Sequence, residues 1–96
     1  MFQNLSLYVP ADAQDYFARH LQTKRKEKKL SRRALAQISG VPESTIKYFE
    51  YTGKISLSQF LELWFCLDDI ERLIQLTQRA SQPKPKPRTI EEVLKR

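Results

Sequence analysis

The stretch GVPESTIKYFEYTGK, residues 40–54, gathers the side chains of this sequence best suited to recognition chemistry. Glu43, Ser44 and Lys47 fall at helical spacing, with Tyr48 beside them. A lysine ammonium donates to guanine O6 or N7, a carboxylate accepts from the cytosine amino group, and a serine hydroxyl does either. Thr45, Tyr48, Thr52 and Lys54 carry donors suited to phosphate oxygens. Arg32 and Arg33, at the start of the preceding helical run, add two more. Two of these residues have a second reading. Arg33 is equally a solvated cation. Glu43 is equally a carboxylate that complements the positive end of its helix and touches no base.

Other chemistries find no residues to carry them. His20 has no Cys or His neighbour at ligand spacing, so no metal site is argued and no cofactor is implied. There is no glycine-rich phosphate loop, nucleophile–base pair or carboxylate dyad, which argues against an enzyme and against a small-molecule substrate. The single cysteine, Cys66, excludes an internal disulfide and reads as a core thiol in a reducing cytoplasm. MFQNLSLYVP lacks the basic start and apolar run of a signal peptide. No apolar run reaches the roughly 18 residues of a membrane span.

The charge is +6 overall and unevenly spread. Residues 21–33 hold seven Lys or Arg against one Glu, whereas residues 55–80 hold four acids against two Arg. One end of the molecule is therefore strongly basic, which favours a polyanion as partner. Within it, Lys24, Lys26, Lys28 and Lys29 read as a face that attracts DNA at long range, or as an ordinary solvated face.

These side chains need a scaffold, and the sequence reads as one all-α domain. Residues 1–10 form an N-terminal arm, with Leu5, Leu7 and Val9 alternating as either a short strand or an ordered extension. Residues 11–80 hold five helices, and residues 81–96 a linker and tail. Asp12 is expected to cap the first helix, with Phe17 and Leu21 inward. Ser31 caps the second, RRALAQIS, with Leu35 and Ile38 inward, and Gly40 ends it. Pro42 suits the first turn of the third, where Ile46 and Phe49 face in and Gly53 closes. Ser56 caps the fourth, with Leu57, Phe60, Leu61 and Trp64 as its stripe, and Asp68 caps the fifth, DIERLIQLTQR. SQPKPKP then favours an extended linker, and TIEEVLKR is too short to hold a helix alone, so it either stays disordered or folds on a partner.

The second and third helices meet the geometric needs of a helix-turn-helix. Ala36 is small enough to let the next helix approach. Gly40, four residues later, tolerates the positive φ of the turn, and Ile46, ten after the alanine, pins the second helix to the first. In this arrangement the second helix presents its N-terminal exposed side chains to the major groove.

The segment LQTKRKEKKLSRRALAQISGVPESTIKYFEYTGK resembles the phage-repressor-type (Xre/Cro-like) helix-turn-helix family. The matching residues are Arg25, Leu30–Ser31, Leu35–Ala36, Gly40–Val41, Ser44–Thr45–Ile46 and Glu50, and the likeness spans about residues 17–75. Within that family it is most similar to HipB-like antitoxins, through the FQNLSLYVPADAQ lead-in, the Thr45, Ile46, Phe49, Glu50 pattern and the short tail. The resemblance implies a cytoplasmic, nucleoid-associated repressor of its own operon, with double-stranded operator DNA and a HipA-like kinase toxin as partners. The alternative it allows is a protein whose main task is to hold that toxin, with DNA binding secondary. It also implies that Arg25 and Glu50 form a structural ion pair rather than DNA contacts. Two positions depart from the family pattern. Arg32 stands where a glutamine is usual, and EYTG places the glycine three residues after Glu50 instead of two.

One such unit touches too few base pairs to be selective, so a two-fold dimer on a palindromic operator is expected. LELWFCL carries more apolar side chains than one helix stripe needs. Leu63 and Phe65, with Ile70 and Leu73 of the fifth helix, are the expected homodimer seam, the other reading being that all are core.

Overall fold

A computed structural model describes residues 7–78, which form five helices in the order α1 (Pro10–Glu27), α2 (Arg32–Ser39), α3 (Glu43–Thr52), α4 (Leu57–Leu67) and α5 (Ile70–Gln75). The expected arm residues 1–6 and the linker and tail at 81–96 lie outside the described residues. Among the described residues no strand forms, and no helix is long and apolar enough to cross a membrane. The all-α reading therefore holds.

Most helix ends sit where capping chemistry puts them. Ser31 accepts from the Ala34 amide at 3.0 Å to start α2, and Ser56 accepts from the Gln59 amide at 3.2 Å to start α4. Gly40 and Gly53, both at φ +79°, end α2 and α3 in the left-handed region where a side chain would be strained. Pro42 lies just outside α3 as its N-cap residue. In EYTG, α3 runs through Thr52 before Gly53 ends it. Gly53 also has no room for a side chain, because a Cβ there would lie 2.9 Å from Gln14 Cβ on α1.

Two expected caps move. Asp12 is not the cap of α1. The helix starts at Pro10, whose missing N–H is not needed at the first position, and Asp12 reaches back to accept from the Val9 amide at 2.9 Å. Asp68 does not cap α5 either. Asp69 does, accepting from the Glu71 amide at 3.0 Å, and α5 ends at Gln75, short of the expected run.

Asp68 instead ties three elements together. His20 of α1 bonds to its Oδ2 at 2.6 Å, Arg72 of α5 donates to the same oxygen at 2.8 Å, and the Asp69 amide donates to Oδ1 at 2.6 Å. Burial pushes this carboxyl up, but those three partners outweigh it and hold the group down at about 2. The indole of Trp64 lies against the His20 ring, with centroids 5.2 Å apart, and donates from Nε1 to Asp69 O at 2.9 Å.

The core is drawn from every helix up to α4: Ala18 and Leu21, Leu35, Ile46 and Phe49, then Leu63, Trp64 and Leu67, with Val41 from the turn. Phe17 and Phe60, at its edge, pack edge-to-face or tilted against each other and against Phe49 and Trp64, with centroids 5.4–6.1 Å apart. Four inward assignments are corrected here. Phe17 is 37% exposed and sits at the edge of the core. Ile38 is 60% exposed, and Ser39 is buried in its place, its hydroxyl accepting from the Val41 amide at 3.1 Å. On α4, Leu57 and Leu61 face out, while Leu63 and Leu67 join Trp64 inside. The physical reason is that α4 packs on both α1 and α2, so its buried arc lies between the two directions. Since both candidate stripes of α4 are apolar, periodicity could not choose between them.

Candidate nucleic-acid interface

The local sequence forms a short helix, a glycine turn and a second helix, and packing then fixes their relation. Ile46 and Phe49 are almost fully buried and hold α3 against the body, while Ala36 sits half-buried beneath it. Helix geometry places the opposite face of α3 outward. Glu43, Ser44, Lys47, Tyr48 and Tyr51 are all exposed and share an arc of about 140°. A ten-residue helix of about 15 Å matches the scale of a major groove about 12 Å wide.

The side chains expected from sequence to read bases therefore lie on one surface. Ser44, Lys47 and Tyr48 lie there together, and Lys54 is exposed just past the end of the helix. Glu43 occupies the first position of α3, at the positive end of its dipole, so both of its expected roles fit its place. Arg33 is exposed near the start of α2, and Thr45 is half-buried at the edge of the arc.

Thr52, expected to contact phosphate, has internal partners. Its hydroxyl donates to Tyr48 O at 2.7 Å and accepts from the Lys54 amide at 3.1 Å, so it closes the end of α3. A hydroxyl has one donor, and this one is already used inside the protein.

The ion pair is present and larger than the resemblance implied. Arg25 Nε donates to Glu50 Oε2 at 2.7 Å, its NH2 to Oε1 at 3.1 Å, and its NH1 to Leu30 O at 2.8 Å. Arg25 and Glu50 side chains are 8% and 3% exposed. Gln22 adds a long contact of 3.4 Å to the same carboxylate.

Arg32 supplies a second cation, its Nε donating to Glu50 Oε1 at 2.8 Å. This amends the expected phosphate clamp, because Arg32 is first an internal partner of Glu50. The Glu50 hydrogen bond holds the Arg32 guanidinium above its ordinary pKa, against an opposing effect of burial. One buried carboxylate is thus shared by two arginines.

Tyr51 was missed by the sequence reading. It is 70% exposed, with the Arg32 guanidinium 5.7 Å and the Lys47 ammonium 6.0 Å from its ring centre. The Lys47–Tyr51 spacing of one turn was a local signal that could have found it. The Arg32 contact crosses from α2 and left no such signal.

The expected dimer seam is also revised. Leu63 is 1% exposed and belongs to the monomer's own core. Ile70 and Leu73 are half-buried against that core. Phe65 alone of the four projects, at 67% exposed. Cys66 Sγ lies 3.8 Å from Ile38 O, which sets exposed Ile38 beside the Phe65–Cys66 step of α4. Burial, with help from the Glu62 charge, pushes the Cys66 thiol up, away from a reactive thiolate.

Comparison with known proteins adds no relative: no family model matches the chain, no curated protein matches it, and no solved structure matches it.

Proposed function

We propose that this chain is a sequence-specific DNA-binding repressor that inserts α3 into the major groove. The carrying observation is the outward arc of Ser44, Lys47 and Tyr48 on a helix pinned from behind by Ile46 and Phe49. The fold supports a repressor-like arrangement through the Gly40 turn between α2 and α3 and the helices packed on either side. Lys24, Lys26, Lys28 and Lys29 supply long-range attraction to the duplex and make binding salt-dependent.

The active form in this reading is a two-fold dimer on a palindromic site. Its seam is the exposed apolar surface of Phe65, Ile38 and Leu61, which replaces the four-residue seam expected from sequence. The likeness to HipB-like antitoxins extends the proposal to autoregulation of an operon that also encodes a HipA-like kinase toxin. A kinase-like reading frame beside the gene supports that extension, and its absence removes it.

The direct test selects a duplex from a randomised library with the wild-type protein, then measures variants on it. Ser44→Ala with Lys47→Ala is expected to weaken binding by about tenfold or more while leaving helicity unchanged. Wild-type affinity in the double variant overturns the assignment of α3 as the recognition helix.

A further inference from the structure

Tyr51 does not fit either ordinary role of a surface aromatic. It is not part of the core, and it is not isolated. Its ring is approached by two cations from different helices, Lys47 one turn earlier on α3 and Arg32 from the start of α2. Arg32 is itself held by Glu50, and Glu50 by Arg25. A continuous chain of contacts therefore runs from the buried Arg25, through Glu50, Arg32 and Tyr51, to Lys47 on the outward arc.

A lysine ammonium on a four-carbon stem has many rotamers, and fixing it on a base costs that freedom. An aromatic face within about 6 Å attracts the ammonium through the ring quadrupole and narrows its range before binding. The anchored Arg32 on the same ring limits how far Tyr51 itself can swing. Lys47 is thus presented along one direction on the exposed arc.

We propose that Tyr51 is a positioning and specificity-determining residue, which aims Lys47 at a guanine in the groove. The inference rests on the DNA-binding reading above and deepens it. Tyr51 acts on Lys47 through its ring, while its hydroxyl faces the Arg32 guanidinium. It changes the choice of base more than the general attraction to DNA, since attraction comes from phosphate neutralisation.

The test uses the full chain and the duplex selected by the wild type, with a matched duplex in which the guanine lost on Lys47→Ala profiling is replaced by adenine. Wild type and Tyr51→Phe are expected to discriminate the two duplexes equally. Tyr51→Leu is expected to lose about three- to fivefold of that discrimination, with an unchanged salt slope. In the background of Lys47→Ala, Tyr51→Leu is expected to have no further effect. NMR of the DNA-free protein adds a second readout: the Lys47 side-chain protons should lose their ring-current shift in Tyr51→Leu and keep it in Tyr51→Phe. Full discrimination by Tyr51→Leu overturns the inference while leaving the DNA reading intact. So does equal loss in Tyr51→Phe, which would assign the role to the hydroxyl. A wild type that selects no duplex at all overturns both, whereas failure of this inference alone leaves duplex selection and its Ser44 and Lys47 dependence in place.

Discussion

Arg25 and Glu50, 25 residues apart in sequence, are joined at 2.7 Å with both side chains buried, and this pair locks α1 to the end of α3. Their geometry is the two-pronged one that suits a guanidinium and a carboxylate. Arg32 reaches the same carboxylate from a more exposed position, at 27%.

Removing the carboxylate should therefore matter far more than removing the outer arginine. Glu50→Ala leaves Arg25 buried without a counter-charge, and urea denaturation is expected to show a loss of about 3–5 kcal/mol. Arg32→Ala is expected to cost about 1 kcal/mol or less, since its arm is partly in water. Equal losses for the two variants would contradict this ranking of the arginines.

Leu63 and Phe65 are two residues apart on α4 and should respond in opposite ways. Leu63→Ala opens a cavity in the core and is expected to destabilise the protein by about 2–5 kcal/mol. Phe65→Glu is expected to leave stability nearly unchanged but to convert the proposed dimer to monomer in analytical ultracentrifugation. A dimer that survives Phe65→Glu with Ile38→Glu places the seam elsewhere.

Asp68 sets an acid-side dependence of stability. Its folded-state value of about 2 lies below the ordinary 3.8, so the unfolded chain takes up this proton first as pH falls. The stabilisation is full above the ordinary value and is lost as pH drops from 3.8 toward 2. Its size is about 1 kcal/mol once screening of the exposed Arg72 arm is allowed for. Stability measured against pH should fall less steeply over that window in Asp68→Asn than in wild type, and parallel curves would remove Asp68 as the source.

Much of the helical frame was legible because its signals are local. Ser31 and Ser56 each cap from within three residues, and Gly40 and Gly53 each mark a helix end by their own φ. The outward face of α3 was equally readable, since Ile46 and Phe49 define the inward one and helix geometry assigns the rest. The cap at Asp12 was misread because an acidic residue serves at several first-turn positions, and the one at Asp68 because the adjacent Asp69 offers the same carboxylate one residue later.

By itself, then, the sequence determined the helices, their turns and the arc of Ser44, Lys47 and Tyr48, all consequences of contacts within about four residues. Tertiary structure decided what those residues do. It gave Arg32 to Glu50, set Tyr51 against two cations, paired His20 with Asp68 across 48 residues, and buried Leu63 while leaving Phe65 outside. Each depends on where a second helix lies, and the periodicity of one amphipathic segment does not carry the direction of its neighbours.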